Sequence, residues 1–182
     1  MPAKNPTRAL LLLDLVYGTV RPEGSFGQIM APDTDFDGLL SRIRHRIDQA
    51  RRDGDLVVWV VPGAEFMKRM SGVDPQDRDL RPDELAGTPA EGEPLVMKAE
   101  IGGFKGSDLD DVLKQHGITE IVLVGVATQY VVDLTTREGA ALGYDVTVLA
   151  SGCADVDEQT HARVLAELRG VDNVKVVAGA TA

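Results

Sequence analysis

At 182 residues, 43% hydrophobic and 26% charged, the chain suits one globular domain with one core and lacks the low hydrophobicity of a disordered segment. Twenty-nine Asp and Glu against 19 Lys and Arg give a net charge of -10, with no basic run to offset it, so nucleic acid is not expected as a partner. Cys153 is the only cysteine, which excludes an internal disulfide and a multi-cysteine metal site and favours a reducing cytoplasm.

The apolar run from Ala9 to Val16 is broken only by Asp14 and reads as a strand buried on both faces; it fits neither a signal peptide nor a membrane span. Five more short runs are rich in Val, Leu and Ile: Leu56–Val61, Leu95–Met97, Ile121–Val126, Val146–Ala150 and Val174–Val177. Between them Leu39, Leu40, Ile43 and Ile47 have helical spacing, as do Leu109, Val112 and Leu113, then Val132, Leu134, Thr135 and Ala140, and finally Val164, Leu165 and Leu168. Gly54, Gly117 and Gly143 stand where helices end in a left-handed residue, and Ser107, Thr128 and Asp155 or Asp157 are candidate N-caps. Met67 to Glu93, rich in Asp, Pro, Arg and Gly, reads as a long surface loop bordering the site. Strands alternating with helices predict a doubly wound α/β/α sandwich on a six-stranded parallel sheet, with ligands beyond the carboxyl ends of the strands.

Two charged residues stand at such ends. Asp14 closes the first strand and Lys98 the third, and a Lys beside a desolvated carboxylate makes either an acid–base couple or a plain buried ion pair. The third segment, Gly125 to Val132, is a strand turning sharply into a helix, where outward N–H groups suit an anion or a developing oxyanion. His45, His116 and His161 never fall at the spacing of a metal motif, so neither metal nor other cofactor is expected.

In order and spacing these segments resemble the isochorismatase-like hydrolase superfamily, which includes nicotinamidases, carbamoylsarcosine amidases and isochorismatases. Leu11-Leu12-Leu13-Asp14-Leu15 resembles its first-strand aspartate motif, and KAEIGGFKGSDL from Lys98 to Leu109 resembles its lysine motif. Gly125 to Leu149 resembles the segment bearing the nucleophile, and Gly152-Cys153-Ala154-Asp155 with His161 resembles the family's next segment. The resemblance implies Asp14 as general acid or base, Lys98 as its partner and position 131 as the nucleophile, which here is valine. It also implies a homo-oligomer. Val131 cannot attack a carbonyl, so thioester chemistry is not expected. Cys153 would lie just after the fifth strand, in a packing role. The Asp and two His of the metal-binding members have no counterpart in Val60 to Glu65.

Isochorismatases, to which the same resemblance extends, lack the nucleophile and use the aspartate as a general acid on a vinyl ether. The expected function is thus cofactor-independent hydrolysis of a small organic acid or related metabolite by Asp14 with Lys98. Tyr17, Phe104, Val126, Ala127 and Tyr130 are the candidate pocket walls, with ordinary core as the alternative for the aromatics. A second expectation is a binding or assembly protein that retains the fold without its chemistry. A third, a valine introduced to trap a complex, is disfavoured by the further departures at 61–65.

Overall fold

The computed structural model describes residues 6–30 and 34–179. Six strands, β1 (Arg8–Leu13), β2 (Leu56–Pro62), β3 (Leu95–Lys98), β4 (Glu120–Val126), β5 (Asp145–Ala154) and β6 (Val174–Val177), form one parallel sheet in the order β3-β2-β1-β4-β5-β6. The helices are α1 (Tyr17–Val20), α2 (Phe36–Asp53), α3 (Ala64–Ser71), α4 (Leu109–Gln115), α5 (Asp133–Ala141) and α6 (Glu158–Leu168).

Alternate residues of each central strand feed two cores, as the two-residue period of a pleated strand requires. Leu11, Leu13, Val58, Val60 and Leu123 point to one face, where they meet Leu109 and Leu113 of α4 and Val164, Leu165 and Leu168 of α6. Leu10, Leu12, Val57, Trp59 and Val124 point to the other, against Leu39, Leu40, Ile43 and Ile47 of α2. Burying each such side chain contributes roughly 1.5–3 kcal/mol, which is why the strands read as continuous apolar runs. Asp35 caps α2 by accepting from the Gly38 N–H at 2.9 Å, and Gly54, Gly117 and Gly143 all have positive φ.

Four boundaries differ from expectation. β1 stops at Leu13, because Asp14 takes a left-handed backbone (φ 55) and turns the chain; Val16 keeps only a single bridge to Pro82. β5 runs on to Ala154 through an irregularity in its pairing with β4, so Cys153 lies within the strand, opposite Gly125. The segment 67–93 is not one loop: it begins inside α3, includes a 3₁₀ turn at Asp77–Leu80, and buries Asp79, Asp83 and Ala86. Thr128 starts a single π turn, Thr128–Val132, instead of capping a helix with its side chain, whereas Ser107 accepts from the Leu109 N–H and Asp157 caps α6.

The buried segment is tied down by one arginine. Arg21 forks onto Asp83, 3% exposed, at 2.6 and 2.7 Å, and reaches Asp37 on α2 at 2.9 Å. Together with Tyr17 N–H to Arg81 O and Asp83 N–H to Leu15 O, this lays residues 81–83 beside 15–17 and fixes the chain just after Asp14.

The strand order reverses between β1 and β4, where such sheets bind ligands. There Leu13 pairs with Gly125, and a Cβ at 125 would collide with the Leu13 carbonyl oxygen. Gly125→Ala therefore forces the two central strands apart and is expected to destabilise the fold by about 1–3 kcal/mol, measured as a lower urea midpoint at unchanged slope.

Candidate active site

Asp14 and Lys98 meet beyond the carboxyl ends of β1 and β3. Asp14 Oδ2 lies 3.1 Å from Lys98 Nζ, with the two side chains 14% and 1% exposed. Lys98 Nζ also donates to the carbonyls of Glu100 at 3.0 Å and Ile101 at 3.1 Å, and sits 4.4 Å from the centre of the Phe66 ring. An ammonium has three N–H donors, and all three are engaged. Lys98 therefore has no N–H left to hold a carboxylate of a bound molecule.

The other oxygen of the carboxyl, Asp14 Oδ1, is buried and has no hydrogen-bond partner among the described residues. Burial raises the Asp14 pKa from 3.8 to about 6, against the opposing pull of the Lys98 charge and hydrogen bond. At neutral pH roughly a tenth of such a group carries a proton, enough for it to serve as an acid or a base.

Asp14 and Lys98 border a cavity of about 220 Å³. Val126, Ala127, Tyr130 and Val131 line it, Val131 buried flush in the wall and Tyr130 half-exposed. Tyr17 and Phe104 do not. The Tyr17 hydroxyl donates to Glu23 while Arg78 lies over its ring, and Phe104 stacks on Tyr144 within the core under β1 and β4. In their place stand residues that sequence reasoning missed: Thr19, Phe26, Met30, Pro62, Phe66, Met70 and Ile101. A signal for Phe66 and Met70 existed in AEFMKRMS, a one-sided apolar pattern directly after β2.

The turn after β4 completes the wall. The Val126–Ala127 peptide is cis, and the π turn comes directly after it. Asp155, 4% exposed, accepts from the Gln129 backbone N–H at 2.6 Å and from its side-chain amide at 2.8 Å, while Thr128 Oγ1 bonds the Ala154 carbonyl at 3.1 Å and His161 Nδ1 at 2.8 Å. The Tyr130 and Val132 N–H groups donate to the Ala127 carbonyl. Three amides of the turn are thus spoken for, and the outward donors expected for an oxyanion are reduced accordingly.

Cys153 is 6% exposed and outside the Asp14 cavity, and burial pushes its thiol up to about 12. A larger concavity of about 970 Å³ lies at the opposite end of the sheet, where Arg8, Glu120 and Asp145 begin their strands. Among the described residues no group of three or more His, Cys, Asp or Glu is placed to hold a metal ion, and no helix is long and apolar enough to cross a membrane.

The fold and the paired residues at its switch point define a class. The family described as Isochorismatase domain matches residues 8–181, and the chain belongs to it. Isochorismatase family protein YwoC of Bacillus subtilis is 26% identical over 169 residues, covering 86% of this chain and 82% of that protein. The secreted isochorismatase effector Isc1 of Verticillium dahliae is 41% identical, over 75 residues that span 41% of this chain and only 38% of the effector. Nicotinamidase of Escherichia coli is 42% identical over 58 residues, 32% of this chain and 27% of that enzyme. Among solved structures, a putative isochorismatase hydrolase from Oleispira antarctica superposes with a TM-score of 0.79 at 25% identity, covering 98% of this chain and 96% of that one. Pyrazinamidase of Pyrococcus horikoshii gives 0.79 at 23% identity over 94% and 99%, a likeness of fold.

A raised carboxyl pKa has a stability signature of fixed sign. Between its unfolded value of 3.8 and its folded value of about 6, Asp14 holds a proton in the folded state that it has lost in the unfolded one. Stability therefore falls as pH rises through that window, by roughly 3 kcal/mol at 1.36 kcal/mol per pKa unit. Urea denaturation of wild type and Asp14→Asn at several pH values is expected to show wild type losing this amount relative to the variant between about pH 4 and 6.

Proposed function

We propose that the chain is a cofactor-independent hydrolase of a small organic molecule, using Asp14 as general acid and base, with Lys98 setting its position and charge and no covalent intermediate. The observation that carries this reading is Asp14 Oδ1, a buried oxygen without a partner on a residue that lines the cavity. Oδ2 is held by Lys98, and a rotation of the carboxyl that turns Oδ1 toward the cavity lets this oxygen exchange a proton with a bound molecule.

The distribution of donors favours one type of chemistry. Attack on an amide builds an oxyanion, and Lys98 together with the Gln129, Tyr130 and Val132 amides is already engaged. Val131 offers no nucleophile, and the thiol of Cys153 is protonated and elsewhere. Protonation of an enol ether builds a cation instead, for which the Asp14 carboxylate and the aromatic residues Phe26 and Tyr130 of the lining are suitable neighbours. Oδ1–H gives its proton to the enol-ether carbon, leaving an oxocarbenium ion and the carboxylate. Water adds to the cation and returns a proton to the carboxylate, and the resulting hemiketal opens to a carbonyl compound and an alcohol. Vinyl ether hydrolysis is accordingly the nearest reaction model.

A binding protein that retains the fold without turnover is the second reading, favoured by the apolar side chain of Val131 in the cavity wall. Mass-spectrometric turnover of a panel of enol ethers and amides separates the two. The hydrolase reading expects Asp14→Asn to lower turnover by roughly 10²- to 10⁴-fold and expects wild-type kcat/KM to fall as pH rises through about 6, where the acid form is lost. Turnover unchanged in Asp14→Asn contradicts it, and a ligand that binds without ever yielding product supports the binding protein.

A further inference from the structure

We infer that the molecule taken by the Asp14 cavity is uncharged and largely apolar, about the size of a ring with one substituent, and that carboxylate-bearing molecules are excluded from it. The inference rests on the Asp14 cavity being the working site and goes beyond the hydrolase reading by naming the ligand's chemical class.

The lining sets the polarity. Phe26, Met30, Pro62, Phe66, Met70 and Ile101 stand around the cavity along with Val126 and Val131, and the polar groups facing them are Asp14, Thr19 and Lys98. Among the described residues Lys98 is the one cationic side chain in the lining, and its three donors go to Asp14 and to the Glu100 and Ile101 carbonyls. A carboxylate entering this space gives up its hydration and finds, among the described residues, no lining cation with a free N–H. It also faces Asp14, ionised for most of the time at neutral pH, so like charges are brought together. A neutral molecule meets neither obstacle, and it brings apolar surface to apolar walls.

The volume sets the size. An apolar cavity of roughly 150 Å³ accepts benzene, and the 220 Å³ here leaves room for a substituent on such a ring. One polar atom on that substituent suffices to meet the Asp14 carboxyl at the cavity's edge, which donates when protonated and accepts when ionised. Met30 and Met70, long and unbranched, let the wall adapt to the outline of the guest.

The test uses acetophenone, methyl benzoate and benzoate, three probes of one ring size that differ in charge, titrated into the intact chain at pH 7.5 with the methionine methyl groups ¹³C-labelled. Expected are saturable shifts of the Met30 and Met70 methyls with the two neutral probes, at least tenfold weaker binding of benzoate, and no shift at Met97, which is exposed on β3 away from the cavity. Asp14→Asn removes the repelling charge and is expected to narrow the gap between benzoate and the neutral probes. Benzoate binding as tightly as methyl benzoate, or no probe moving Met30 and Met70 at millimolar concentration, overturns the inference. Failure of the hydrolase reading looks different: neutral probes still bind at Met30 and Met70, while turnover of the enol-ether panel is absent or indifferent to Asp14→Asn.

Discussion

The site depends on one buried contact, the ion pair of Asp14 with Lys98, and on the saturation of that lysine by two backbone carbonyls. A lysine amino group buried to this degree is tolerable only when every proton has a partner, and here the partners come from the loop after β3 and from the strand at the centre of the sheet. The consequence is a division of labour within one carboxyl group. Oδ2 is fixed and Oδ1 is buried without a partner among the described residues, and burial lifts the whole group into a range where it can both lose and gain a proton near neutrality.

Much of the surrounding fold serves to hold that contact. Asp14 adopts a left-handed backbone, a conformation that costs an ordinary residue about 1–2 kcal/mol, and its N–H donates to Val60 O at 2.9 Å, so the turn is anchored to β2. Arg21 and Asp83 clamp the chain just beyond it. Gly125 lets β4 pass close against Leu13, which puts the turn carrying Tyr130 and Val131 across from the carboxyl. Asp155, Thr128 and His161 then hold that turn from the side of β5 and α6. Each of these contacts lies away from the Asp14 carboxyl, yet each helps to decide where it stands.

The sheet, its parallel order and the Asp14–Lys98 pairing were legible in the sequence because their cause is local: an apolar run must be buried, and a charge at its end must lie at the rim of the sheet. The cavity walls were less so. Tyr17 and Phe104 are aromatic and near the right motifs, but which way a side chain faces depends on neighbours such as Glu23 and Tyr144 that spacing alone does not place. Phe66 and Met70 carried a signal in the one-sided apolar pattern of AEFMKRMS, but a helix of eight residues is short, and the polar stretch that follows it draws Met70 into the reading of a loop. The Arg21–Asp83 clamp joins residues 62 apart and leaves no periodic trace. The engagement of Lys98 by carbonyls is likewise a property of backbone geometry, and residue spacing does not reveal it.

The central claim is that Asp14 is a buried acid with one free oxygen, and infrared difference spectroscopy tests it directly. Spectra of wild type minus Asp14→Asn, recorded from about pH 4 to 8, isolate the carboxyl band of this one residue. The account predicts a protonated C=O stretch that disappears with a midpoint near 6. A midpoint at the ordinary aspartate value near 4 would contradict it, because the carboxyl would then be fully ionised at neutral pH and unable to act as the acid.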